Sequence, residues 1–118
     1  MGAKSRRKGV RGEREAAAEI ARLFQVTAAR GRQYQGSDDS PDIRTAIPRV
    51  QFEVKRVEHL RLYAALDQAA HDAGPDNLPV VLHRTNGQPW VAIVRLKDLP
   101  ALAVQLFLTL SNPDSETP

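Results

Sequence analysis

The sequence contains no cysteine. A disulfide framework, a thiolate nucleophile and a zinc site built on cysteine are therefore excluded. Aromatic residues make up only 5% of the chain, which leaves little surface for stacking on bases. No apolar run approaches the length of a membrane span, and none follows the basic N-terminus as in a secretory signal. We therefore expect a cytoplasmic protein without a membrane partner.

The chain does carry an excess of positive charge near its beginning. Its net charge is +3 and its pI is near 9.7. The basic residues that precede the first acid, Glu13, are Lys4, Arg6, Arg7, Lys8 and Arg11. Such a run can neutralise phosphates and attract a polyanion, although a solvated basic arm would look the same. The 118 residues predict one domain, with a basic arm at 1–10, a folded domain at 11–110 and a disordered tail at 111–118.

Hydrophobic periodicity and turn residues predict the order helix, three strands, helix, two strands, helix. Helices are expected at about 11–24, 60–73 and 98–110. Strands are expected at 25–34, from Pro41 through Arg44, and at 50–57, 78–83 and 90–96, with a turn at Asn86-Gly87. The connection between the third and fourth strands is long enough for a parallel crossover. The predicted fold class is α/β, a central mixed five-stranded sheet flanked by helices.

The third predicted strand alternates between apolar and polar residues. Phe52 and Val54 would face the core, while Glu53 and Lys55 would share the opposite face, two residues apart. By itself this pattern is more typical of an amphipathic strand with a solvated charged face.

Asp42 gives these two residues a chemical context. Asp42 begins a short strand, and a tight turn joins this strand to the one that carries Glu53. Pairing of the two strands could bring the two carboxylates together. Close carboxylates repel each other unless a cation lies between them. Mg²⁺ often binds through one or two carboxylates plus substrate phosphate, and Lys55 would then stabilise that phosphate. The alternative is that Asp42 is a turn residue after Pro41.

A third acid, Glu13, lies on the apolar stripe of the first helix. The stripe also contains Ala16, Ala17, Ile20 and Phe24. A carboxylate there needs a partner or a metal, unless it compensates the dipole of the first helical turn. On the second helix, Gln68 lies beside the apolar stripe and could hold a water or a phosphate, although such a glutamine is more often a surface residue.

Four motifs of this kind follow one another in order. They are Arg11-Gly12-Glu13 on a helix, Pro41-Asp42-Ile43, Glu53-Val54-Lys55, and a following helix with Gln68. In this order they resemble the PD-(D/E)XK nuclease superfamily. More narrowly, residues 8–110 resemble the archaeal-type and phage-type Holliday junction resolvases. The resemblance implies the restriction-endonuclease-like fold and a metal-dependent endonuclease that hydrolyses DNA phosphodiesters, foremost a structure-selective Holliday junction resolvase.

The resemblance also implies a role for each matching residue. Asp42 and Glu53 would be the principal ligands of Mg²⁺, for which Mn²⁺ would substitute. Glu13 would complete the acidic cluster, directly or through water. Lys55 would assist attack on the scissile phosphate, and Gln68 matches a helix glutamine of many members.

The resemblance further implies that the partner is branched double-stranded DNA, the four-way junction, and that the protein is a homodimer in a microbial or phage-infected cell. Candidates for contacts with the DNA are basic residues and two loop serines, either of which could match a family serine: Arg6, Arg7, Lys8, Arg11, Arg30, Arg32, Arg56, Ser37 and Ser40. Backbone contacts position DNA without reading its sequence. We therefore expect recognition by duplex geometry and branching.

Three other interpretations stay open. Another nuclease of the same fold would cut linear or nicked DNA. A non-catalytic module of that fold would bind nucleic acid without cutting it, although the presence of all the charged motif residues argues against this. A basic protein that binds RNA would use similar phosphate contacts.

Overall fold

In a computed structural model of the chain, residues 2–31 and 42–111 are described, with side chains from residue 9 onward. Within these residues the helices are α1 (Gly2–Phe24), α2 (Leu62–Ala73) and α3 (Leu99–Ser111). The strands are β1 (Ala28–Arg30), β2 (Ile43–Thr45), β3 (Val50–Lys55), β4 (Leu78–His83) and β5 (Val91–Ile93). A short 3₁₀ turn, Leu96–Asp98, leads into α3.

The sheet is mixed and follows chain order, β1-β2-β3-β4-β5. β3 and β4 are parallel because α2 carries the chain back across the sheet, and the other neighbouring pairs are antiparallel. Between β4 and β5, the Gln88 amide donates to the Thr85 carbonyl at 3.2 Å, and Gly87 adopts a φ of 76°. The predicted α/β class, five-stranded mixed sheet and Asn86-Gly87 turn are therefore confirmed.

The core lies on both faces of the sheet. One face packs against α1 and α3 through Ala16, Ile20, Phe52 and Leu102, among others. The other face packs against α2, where Leu66 and Ala69 meet Val81. β4 is buried along its centre, as its uninterrupted apolar run predicts. The result is three layers, helix on sheet on helix, with β3 in the middle of the sheet.

Several predicted element boundaries are wrong. α1 begins at Gly2 and not near residue 11, because lysine, arginine and alanine favour a helix and no proline interrupts them. β1 covers Ala28–Arg30 only, and the end of its predicted range lies outside the described residues. β3 ends at Lys55, and β5 is shortened because the chain turns into the 3₁₀ segment before α3. The predicted loop at 36–40, Pro41 and the tail beyond Ser111 also lie outside the described residues.

Within the described ranges, no helix is both long enough and apolar enough to cross a membrane.

Candidate active site

The pairing of β2 with β3 sets Asp42 beside Glu53. Ile43 pairs with Phe52 in the antiparallel register, and continuing that register by one residue places Asp42 opposite Glu53. The Val54 amide donates a hydrogen bond of 2.8 Å to Asp42 Oδ2. Asp42 is only 9% exposed, so it is a buried acid at the start of a strand and not a surface turn residue.

Both carboxyl groups are harder to ionise than usual. Burial raises the pKa of Asp42, and the negative charges of Glu13 and Asp72 raise it further. The hydrogen bond from the Val54 amide acts in the opposite direction and lowers it. Burial and the charge of Asp42 together raise the pKa of Glu53 from 4.5 to about 7, although Lys55 opposes this. A cation held between the two carboxylates would favour the ionised form of both.

Lys55 and Gln68 line one open groove between the end of β3 and α2. The groove has a volume of about 320 Å³, and its lining is Lys55, Val57, Leu60, Arg61, Ala64, Ala65 and Gln68. The Lys55 carbonyl lies 2.9 Å from His83 Nδ1, which fixes the backbone at this point. Within the described residues, neither the Lys55 nor the Arg61 side chain has a hydrogen-bond or ion-pair partner. Both cations are therefore available to an anion in the groove.

Glu13 has the partner that its buried position requires. Arg30 Nε on β1 donates to Glu13 Oε1 at 2.6 Å, and both side chains are partly buried. The third predicted metal ligand is thus engaged in an ion pair, and so is Arg30, which was predicted to contact DNA. Glu13 still lies near enough to Asp42 and Glu53 to raise the pKa of each.

Gly12 explains how α1 comes close to the strand that carries Lys55. A Cβ added at Gly12 would lie 2.6 Å from Arg56 Cβ and 3.1 Å from Arg56 Cγ. Such distances are closer than van der Waals contact, so only glycine permits this approach. The glycine of the Arg11-Gly12-Glu13 motif therefore has a packing role beside the acidic residues.

The remaining predicted DNA contacts fall into four groups. Arg11 is exposed on α1. Arg56 is held internally, since its guanidinium donates to the Arg84 carbonyl at 3.2 Å and to Asn86 Oδ1 at 2.6 Å. The backbone at Arg6, Arg7 and Lys8 belongs to α1, whereas Arg32, Ser37 and Ser40 lie outside the described residues. Contact of any of them with DNA stays a prediction.

Sequence reasoning missed two residues that belong to this region: Asp72 in α2 and Arg61 at the N-cap of that helix. Asp72 accepts a hydrogen bond of 3.0 Å from Gln68 Nε2, and its charge contributes to the raised pKa of Asp42 and Glu53. Arg61 supplies the second cation of the groove. Arg61, Ala65, Gln68 and Asp72 are spaced as one helical stripe, and this spacing was the signal that could have found them.

The residues present suit a hard divalent cation. Among the described residues, no group of three or more acidic or histidine side chains is arranged to hold a metal. Asp42 and Glu53 alone are nevertheless the type of donor set that Mg²⁺ uses, since this ion keeps several waters and takes other ligands from substrate phosphate. Their proximity and burial are also costly without a cation.

Comparisons of the chain with protein families, curated proteins and solved structures found no significant match. An assignment of function therefore depends on the chemistry of this site.

Proposed function

We propose that the chain is a metal-dependent DNA endonuclease of the restriction-endonuclease-like fold, and more narrowly a structure-selective Holliday junction resolvase. The observation that carries the proposal is the placement of two acids opposite each other: Asp42, which is buried at the start of β2, and Glu53, which is half-buried on the neighbouring strand β3. Lys55 follows on the same face of β3 and opens into a groove that holds a second cation, Arg61. Carboxylates for a metal beside cations for a phosphate are a combination that supports metal-assisted phosphodiester hydrolysis.

Each side chain has a distinct part in this proposal. Asp42 and Glu53 would hold Mg²⁺, with Mn²⁺ as a substitute, and the bound ion would polarise the phosphate and promote attack by water. Lys55 would offset the negative charge that develops on the scissile phosphate. Arg61 would hold a neighbouring phosphate of the same strand, and Gln68 would orient a water or a phosphate at the groove wall.

Cleavage of a labelled four-way junction in the presence of Mg²⁺ tests the proposal, with the matching linear duplex as the second substrate. The wild type should cut the junction symmetrically and spare the duplex. Asp42→Asn should reduce the cleavage rate by at least about 100-fold, since it removes a ligand charge. Its amide oxygen can still accept the Val54 hydrogen bond, so folding and DNA binding should persist.

A matched control is Asp67→Asn on the outer side of α2, where Asp67 is exposed and pairs with Arg95 at 2.7 Å. This variant should cut at the wild-type rate. Equal cleavage of junction and duplex would refute the resolvase assignment and favour another nuclease of the same fold. Binding without cleavage in either Mg²⁺ or Mn²⁺ would refute the catalytic proposal.

A second candidate, a nucleic-acid-binding module without catalysis, is favoured by one specific observation. Glu13 forms an ion pair with Arg30, so of the predicted ligands only Asp42 and Glu53 are left to bind a metal. The resemblance implies three acidic residues in this cluster. Competition between an RNA hairpin and the DNA junction for the uncleaving protein would then identify the preferred nucleic acid.

A further inference from the structure

The outer face of α3 carries large hydrophobic side chains and no charge. The helix, Leu99–Ser111, contains no aspartate, glutamate, lysine, arginine or histidine. Leu102 is its buried residue, and Leu106 packs against the core from partial burial. The exposed side chains form what we call the apolar α3 surface: Leu96 in the preceding turn and Leu99, Val104, Phe107, Leu108 and Leu110.

This surface is unusual for a helix that faces solvent. At about 100° per residue, its helical members occupy roughly half of the circumference, on the side away from Leu102. Phe107 is 67% exposed and Leu96 is 82% exposed. A surface helix normally places charged residues on its outer face, and a helix that is apolar on all sides is normally buried. A contiguous apolar patch of this kind marks a contact with another molecule.

Two occupants are disfavoured by the residues themselves. α3 has 13 residues, too few to span a bilayer, and it lacks the lysine and arginine with which helices lie on a membrane surface. The parts of this sequence whose side chains the structure does not describe have few apolar residues that could cover the surface. Outside the side chains that the structure describes, the sequence contains only two large hydrophobic residues, Met1 and Tyr34.

We propose that the apolar α3 surface is the interface through which two copies of this chain form a dimer. In a two-fold contact each copy presents the same patch, so the uncharged outer faces of two α3 helices meet and no charge of α3 is buried unpaired. The six side chains expose on the order of 600 Å², close to the roughly 800 Å² per partner of a stable interface. The resemblance implies a homodimer, and the proposal adds the surface through which the two copies meet. Its test is independent of the proposed nuclease activity, because the mass is measured without any substrate.

Sedimentation equilibrium of the full chain over a wide range of concentrations tests the dimer. The wild type should reach twice the 13.0 kDa mass of one chain. Phe107→Lys should weaken dimerisation by roughly 100-fold or more, because it removes a central aromatic contact and buries an unpaired charge. Leu110→Lys should act in the same direction.

Leu23→Lys is the matched control for Leu110→Lys. Both leucines lie near the C-terminal end of a helix, with Leu23 55% and Leu110 53% exposed, but Leu23 belongs to α1. Leu23→Lys should leave the dimerisation constant within roughly twofold, as expected outside an interface. Circular dichroism of each variant must match that of the wild type, so that a lower sedimentation mass reports loss of the dimer and not unfolding.

Disulfide trapping provides a second measurement, because the chain has no cysteine of its own. Oxidation of Phe107→Cys should give a covalent dimer, and oxidation of Leu23→Cys should not. A wild type that stays monomeric at every concentration would overturn the proposal. A dimer that persists in both α3 lysine variants would also overturn it, since the copies would then meet through another surface.

Discussion

At the scale of single residues, the cost of buried charge dominates the site. Glu53 is half-buried and faces Asp42, and its pKa of about 7 is above the 4.5 of an unperturbed glutamate. A carboxyl group whose pKa is raised by folding stabilises the folded protein only while it is protonated. Without a metal, this contribution is complete below about pH 4.5 and is lost as the pH rises through about 7.

Glu53→Gln should therefore stabilise the metal-free protein at pH 8. After allowance for solvent screening, the gain in the free energy of unfolding should be about 1–2 kcal/mol. Urea titrations in EDTA at pH 4.5 and pH 8 measure it, and the two proteins should differ mainly at pH 8. Mg²⁺ should then stabilise the wild type and leave the variant unchanged. Glu19→Gln, at an exposed acid of α1, is the control and should show no gain.

Arg61 has a role that the proposed function predicts and that DNA binding can measure. Arg61→Gln in the Asp42→Asn background should weaken junction binding by about 3–10-fold and lower the slope of log affinity against log salt by about 1. Arg22→Gln on α1 is the matched control, because Arg22 is exposed and pairs with Glu19 at 2.9 Å. An unchanged salt slope for Arg61→Gln would exclude a phosphate contact in the groove.

At the scale of secondary-structure elements, the contact between α1 and the end of β3 positions the site. Arg56 cannot easily move away from Gly12, since its guanidinium is bonded to the Arg84 carbonyl and to Asn86. The close contact between Gly12 and Arg56 is therefore held in place by the hydrogen bonds of Arg56. Any side chain at position 12 must displace the helix that carries Glu13 or the strand that carries Lys55.

Gly12→Ala should destabilise the protein by about 1–2 kcal/mol, because overpacking outweighs the better helix propensity of alanine. Gly9→Ala is the control on the same helix, where a Cβ would meet nothing within 4 Å. That variant should be neutral or stabilised by up to about 1 kcal/mol. Thermal unfolding of both variants measures the difference. If Gly12→Ala is as stable as Gly9→Ala, α1 does not depend on this close contact.

At the scale of the whole molecule, positive charge is concentrated at the beginning of α1. The backbone there is helical, and the basic residues at positions 4, 7, 8 and 11 are spaced by three, one and three residues. The described core begins further along, with Ala16 and Ala17. We therefore expect the basic residues of these first turns to contribute to binding rather than to the stability of the described core.

Deletion of residues 1–8 should leave the melting temperature nearly unchanged but weaken binding to the junction. It removes Lys4, Arg6, Arg7 and Lys8. If all four contact phosphates, the salt slope should fall by about 3–4. Fluorescence anisotropy with labelled junction at several salt concentrations measures both the affinity and the slope. Equal slopes for the two proteins would mean that these residues form a solvated end and not a DNA contact.

The sequence by itself determined the fold class and the order of the elements. Apolar residues recur with the period of a helix or a strand, and this period is a local property of the backbone. The same alternation put Glu53 and Lys55 on one face of β3, and the short connection after Asp42 predicted its return beside Glu53. The start of α1 was predicted too late because the residues before Arg11 lack the apolar stripe on which the prediction relied. Lysine, arginine and alanine in this segment nevertheless favour a helix, and α1 begins at Gly2.

Only the tertiary structure decided which charges meet and which surfaces stay open. Arg30 reaches Glu13 from a strand 17 residues further along the chain, and Arg61 joins Lys55 because α2 packs over the end of β3. The exposure of Phe107 likewise depends on how far the other elements cover α3. These contacts arise from the packing of distant segments, and their positions are fixed only once the chain has folded.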